Sequence, residues 1–155
     1  MVFASAVYGY AKRFMEAYFA AMEPLCEELG TARPAVDILL FLANNPEHST
    51  ARDICAYRRM KPAIVSFHVE NLVREGYLER QPVPGDRRKQ RLVCTEKAAP
   101  AICRGRDAQE RFFARMVRGL TKEELDGCLR CFAVIEKNLS AQGEPEESRE
   151  KEGRL

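Results

Sequence analysis

Apolar positions recur at helical spacing through most of the chain and alternate in one short region. Val7, Ala11, Phe14, Met15, Tyr18 and Met22 give a first helix one apolar face; Pro24 is expected to end it near Glu23, with Leu25 to Leu29 adding a turn before Gly30. Thr31 is placed to cap a second helix with Pro34 in its first turn, which turns Val36, Leu39, Leu40 and Ala43 inward until Asn44-Asn45-Pro46 closes it. Ser49 or Thr50 caps a short third helix through Ile54 to about Tyr57. A fourth starts near Lys61-Pro62, buries Val65, Val69 and Leu72, and leaves Ala63, Ser66, Phe67, Glu70 and Arg74 pointing outward.

Gly76 suits a left-handed cap, after which Tyr77 to Gln81 and Gln90 to Cys94 pair as two strands across a Pro84-Gly85-Asp86 turn. Thr95 caps a long fifth helix whose later stripe includes Phe112, Phe113, Met116, Val117 and Leu120. Pro100 comes late for a first turn and predicts a kink or a later start. Thr121-Lys122-Glu123-Glu124 is a capping box for a sixth helix with Leu125, Cys128, Leu129, Phe132, Ile135 and Leu139 on its inner face. The fold class expected is mainly α with a small β-hairpin wing. The chain divides into a helix-turn-helix over 49–76, a wing over 77–95, flanking helices over 1–30 and 96–141, and a charged, disordered tail over 142–155.

Charge sharpens this picture through its distribution. From Tyr57 to Lys97 ten cations oppose five acids, an excess of five; the whole chain carries +2, so the remainder is three units negative. The winged helix-turn-helix order and this basic segment together make duplex DNA the leading ligand. Met1 to Tyr10 has neither the cations nor the apolar core of a secretory signal, and no apolar run approaches the roughly 20 residues needed to span a bilayer, so no membrane association and a cytoplasmic location are expected. The six cysteines sit singly within apolar helical patterns, as buried thiols do in reducing compartments. Redox sensing through Cys26, Cys103 or the Cys128/Cys131 pair is the alternative. With His48 and His68 the only histidines, no metal or other cofactor is expected.

Leu72-x-x-x-Gly76-Tyr77-Leu78-x-Arg80, then Asp86-Arg87-Arg88, then Leu92-Val93-Cys94-Thr95-Glu96-Lys97 closely resembles the run from recognition helix through wing to fifth helix in the MarR family of winged helix-turn-helix regulators. The resemblance covers roughly residues 5 to 140. Lys61 to Asn71 departs from it, lacking the Ser/Thr-rich start and the Arg near Phe67; Ser66-Phe67-His68 is reminiscent of ArsR-type recognition helices, but the long flanking helices favour MarR. What the resemblance implies is a homodimer held by the first, fifth and sixth helices, acting as a repressor on a pseudo-palindromic operator with half-sites about 10 bp apart. Phe3, Tyr8, Phe112, Phe113, Met116 and Phe132 supply apolar surface for such a dimer.

The candidate DNA-binding residues are Lys61, Ala63, Ser66, Phe67, Arg74, Arg87, Arg88 and Lys89. Lys61 and Arg74 suit phosphates, Ser66 a base or phosphate, and Phe67 or Ala63 a thymine methyl. Glu70 is either a cytosine acceptor or a solvated acid, and His68 reads as a partly buried structural histidine. Resemblance favours Arg88 as the side chain entering the minor groove, with Asp86 supporting the wing. It also implies a small aromatic effector in a pocket lined by Tyr8, Phe14, Met15, Tyr18 and Phe41, residues that equally suit an ordinary core. Release would follow a small-molecule or oxidative signal. No nucleophile motif, Gly-rich phosphate loop or acid-base cluster points to an enzyme. A winged helix that binds protein and no specific DNA is the competing class.

Overall fold

The computed structural model describes residues 3–83 and 86–141. Its elements run α1 (Phe3–Leu29), α2 (Arg33–Asn44), α3 (Ala51–Arg58), α4 (Pro62–Arg74), β1 (Leu78–Val83), β2 (Asp86–Cys94), a 3-10 turn (Glu96–Ala98), α5 (Ala99–Met116) and α6 (Lys122–Ala141). Two compact units divide between Phe113 and Ala114.

In the first unit α1 runs unbroken through Pro24, against the expectation that it ends near Glu23. Proline removes one backbone donor, but Met22, Leu25 and Cys26 on either side are buried, and that packing holds the helix through the gap. Gly30, at φ 58°, then stops it: the Gly30 N–H donates to the Glu27 carbonyl and the Thr31 N–H to that of Cys26. Thr31 thereby belongs to the end of α1. The N-cap of α2 is Ala32, with no side-chain hydrogen bond, so the expected Thr31 cap is not made.

Helix α2 is the centre of the core. The four inward positions expected of it understate its burial, since Ala35, Ile38, Phe41 and Leu42 are buried along with Val36, Leu39 and Leu40, while Ala43 is half-buried. A helix apolar on all sides is one surrounded by others. Its C-cap, Asn45, donates to the Phe41 carbonyl through both its backbone N–H (3.0 Å) and its side chain (2.8 Å). Val65, Val69 and Leu72 of α4, Leu78 of β1, Leu92 of β2 and Ala98, Ala101 and Ile102 complete this core. Helix α5 starts later than Thr95, with Pro100 accommodated in its first turn. The Thr95 hydroxyl makes no cap; it donates to the Gly76 carbonyl at 2.6 Å, tying the foot of the wing to the end of α4.

The second unit contains α6, started by the expected capping box: the Thr121 N–H donates to Glu124 Oε2 (2.8 Å) and the Glu124 N–H to Thr121 Oγ1 (3.3 Å). Its stripe of Leu129, Phe132, Ile135 and Leu139 is exposed rather than an inner face. Cys103, Cys128 and Cys131 are likewise exposed and Cys55 and Cys94 half-buried, so of the six thiols Cys26 alone is buried as expected. The expected tail, 142–155, lies outside the described residues. Among the described residues no helix is long and apolar enough to cross a membrane.

Candidate nucleic-acid interface

Helix α3 begins at Thr50, whose hydroxyl oxygen accepts from the Asp53 N–H (3.2 Å) while the Thr50 N–H donates to Asp53 Oδ2 (2.9 Å). Burial pushes the Asp53 carboxyl up, but the Thr50 hydroxyl and N–H outweigh it and hold the group below its ordinary value. Arg59, a non-glycine residue at φ 52°, turns the chain into α4, with Lys61 as N-cap and Pro62 in the first turn. Val65, His68, Val69 and Leu72 are buried, which fixes the outward face as Ala63, Ser66, Phe67, Glu70 and Arg74, all exposed. Burial lowers the pKa of His68; the ring lies edge-on to Phe67 at 5.1 Å.

The end of α4 is locked to the wing. Gly76 takes φ 76°, the Tyr77 N–H donates to the Leu72 carbonyl, and Lys97 Nζ reaches the Glu75 carbonyl at 2.7 Å while sitting 4.7 Å above the Tyr77 ring. The two antiparallel strands are longer than the sequence indicated and pair from Leu78↔Cys94 to Pro82↔Gln90. The next pair is Val83↔Asp86, so Arg87, Arg88 and Lys89 fall within the break in register. Their side chains and that of Asp86 lie outside the described residues, as does the Pro84-Gly85 turn. The loop before α3 joins the hairpin: the Ser49 carbonyl accepts from the Leu92 N–H at 2.7 Å, and Ser49 Oγ accepts from Arg91 Nε at 3.1 Å.

A cleft of about 700 Å³ opens between α3, α4 and the strands, with Thr50, Arg52, Ser66, Glu70, Arg80 and Gln90 among its lining. Arg80 approaches Glu70 at 3.9 Å across it. Of the sequence candidates the structure brings Ser66 to this cleft, and α4 carries Lys61, Ala63, Phe67 and Arg74 on the elements beside it. Arg52, Arg80 and Gln90 were not among the candidates. Arg80 alone had a signal, as the last residue of the Leu72-x-x-x-Gly76-Tyr77-Leu78-x-Arg80 run; strict alternation would put it on the face of buried Leu78, yet it is exposed.

A second cleft, about 380 Å³, lies between α1, α2, α3 and Gln109 of α5. It collects Phe14, Met15 and Tyr18 from the predicted effector set; Tyr8 is exposed elsewhere on α1, and Phe41 is buried behind Tyr57, ring to ring at 5.9 Å. Phe112, buried against Phe14 and Tyr18 at 5.5 Å, backs this wall instead of lying on an open face. The polar groups here are Arg33, Asp37, Arg58 and Gln109, the last donating to the Tyr18 hydroxyl oxygen at 2.8 Å. Burial raises the Asp37 pKa against the opposing pull of Arg58, 3.4 Å away. No group of three or more His, Cys, Asp or Glu suited to a metal ion occurs among the described residues.

The MarR family model matches residues 29–89, from the end of α1 through the wing. Solved structures share the fold. The transcriptional regulator PA3341 superposes with a TM-score of 0.77 at 21% identity, over 90% of this chain and 99% of that one. A MarR family regulator from Listeria monocytogenes, complexed with a 26mer DNA, gives 0.75 at 15% identity over 100% and 97%. An organohalide-sensing regulator in its 2,4-dichlorophenol-bound form gives 0.66 at 16% over 89% and 81%. From the end of α1 to the wing this chain matches the MarR family model, and over most of its length it shares the fold of those solved regulators.

Proposed function

We propose that the chain is a sequence-specific transcriptional regulator that binds duplex DNA as a homodimer, represses from a pseudo-palindromic operator, and is released by a small aromatic ligand. One observation carries the reading: the exposed face of α4 stands beside the hairpin with Lys61, Arg74 and Arg80 around it. An exposed helix of this width fits the major groove, and cations at its margins suit the phosphates that border it. The wing cations Arg87, Arg88 and Lys89 continue that charge, and Arg88 is assigned to the minor groove.

Dimerisation is supported by apolar side chains that one copy leaves in water: Phe113 and Met116 at the end of α5, and Leu129, Phe132, Ile135 and Leu139 on α6. The ligand reading is supported by the cleft of about 380 Å³, whose aromatic walls, with Arg33, Asp37 and Arg58 at the polar side, suit a planar phenolic molecule. Tyr18, Phe14 and Met15 would contact its ring. The test is a gel-shift assay on the DNA upstream of the chain's own coding region and on a random duplex, with sedimentation to give the stoichiometry. Preferential binding of two copies to the upstream duplex is expected. No shift of either duplex at low salt would favour a winged helix that binds protein instead.

A further inference from the structure

Between Lys61 and Arg74 the exposed side chains of α4 are Pro62, Ala63, Ile64, Ser66, Phe67 and Glu70. None is a cation, and the single acid is drawn toward Arg80 of β1 at 3.9 Å. Ile64 is 44% and Phe67 61% exposed; they stand one helical turn apart, with Ala63 one turn before Phe67. The three form an apolar strip. The Phe67 ring lies edge-on to that of buried His68, at an interplanar angle of 79°.

An apolar strip bordered by Lys61, Arg74 and Arg80 calls for a polyanion with apolar spots between its charges. The major groove of DNA offers one such spot, the 5-methyl group of thymine. Paired hydrogen bonds to guanine need Arg or Lys, and those to adenine need Asn or Gln. The exposed positions of these turns hold none of the four, and Asn71, one turn beyond Phe67, is half-buried.

We infer that α4 reads thymine methyl groups through Ile64 and Phe67, and that this contact sets the sequence preference of its central turns. The inference rests on the proposed DNA binding and names what that surface recognises. Its consequence is an operator whose half-sites place thymines under α4.

The test uses the full chain and a duplex recovered by repeated selection from a randomised pool. Each thymine is replaced in turn by deoxyuridine, which differs by the methyl alone, and affinity is measured by fluorescence anisotropy. At thymines facing α4 each replacement should weaken binding about fourfold, the factor for burying one CH₂-sized group. Phe67→Ala or Ile64→Ala should bind the thymine and deoxyuridine duplexes alike at the affected position. Arg88→Ala should bind more weakly yet keep the discrimination. Equal binding of both duplexes by the unaltered chain at every position would overturn methyl reading while leaving DNA binding intact. Recovery of no duplex from the pool would overturn the DNA-binding reading beneath it.

Discussion

Gly105 lies where α5 meets α2, and a methyl group added there would run into the buried Leu40 side chain: Cδ1 at 2.9 Å, Cγ at 3.1 Å and Cδ2 closer still. Two opposing effects decide the outcome of Gly105→Ala. Alanine in a helix interior gains about 1 kcal/mol over glycine. Overpacking a filled core costs about 1–3 kcal/mol. Leu40 is almost wholly buried among core residues and has little room to move aside, so overpacking should win by about 1 kcal/mol. For a chain of this size that lowers Tm by about 2–4 °C. In a Leu40→Ala background the obstructing atoms are gone, and the same substitution should raise Tm by a similar amount. Thermal unfolding of the four proteins at one protein concentration gives the cycle. A rise in Tm for Gly105→Ala in the unaltered background, or an equal effect in both backgrounds, would refute the close approach of α2 and α5.

Thr50→Ala removes the capping box of α3 and should cost about 1 kcal/mol in urea unfolding. Because the Asp53 pKa is depressed, its contribution is full above the ordinary carboxylate range and is lost as pH falls through the lowered pKa; Asp53→Ala should flatten the acid limb of stability against pH. His68 is shifted in the same direction by a different cause: burial lowers its pKa from 6.5, the unfolded chain takes up the proton first, and stability falls as pH drops through 6.5. His68→Leu should abolish that slope in urea midpoints taken above and below this pH. A thiol reagent should modify Cys103 in the folded protein, whereas Cys26, buried and with its thiol pushed up by that burial, should react only on unfolding; mass spectrometry of the labelled peptides distinguishes them.

The helix-turn-helix was legible because its signals are local. Thr50-x-x-Asp53, Lys61-Pro62 and Gly76 each impose a backbone geometry that neighbours do not override, and Val65, Val69 and Leu72 fix which face of α4 turns out. Where tertiary packing decides, local signals mislead. Pro24 breaks an isolated helix, but buried Met22, Leu25 and Cys26 carry α1 across it. Thr31 and Thr95 look like caps, yet their positions in space give them other partners, the end of α1 and the end of α4. The Cys128 stripe reads as core because periodicity reports an apolar face without saying what covers it. The cleft of about 380 Å³ draws on four helices, so Arg33, Arg58 and Gln109 carry no shared signal along the chain. Three of the five residues proposed for it fall together there.

If α4 and the wing bind the DNA backbone and grooves together, affinity depends steeply on salt. Affinity of the unaltered chain and of Arg88→Ala for the upstream duplex, measured across a series of salt concentrations, should fall linearly on logarithmic axes, because each phosphate contact releases counterions. Arg88→Ala should bind more weakly, with unchanged sedimentation and Tm, and its slope should be shallower by about 1 if the wing arginine neutralises a phosphate on entering the groove. Binding that ignores salt, or an Arg88→Ala variant with the affinity and slope of the unaltered chain, would rule out joint backbone and groove binding by α4 and the wing.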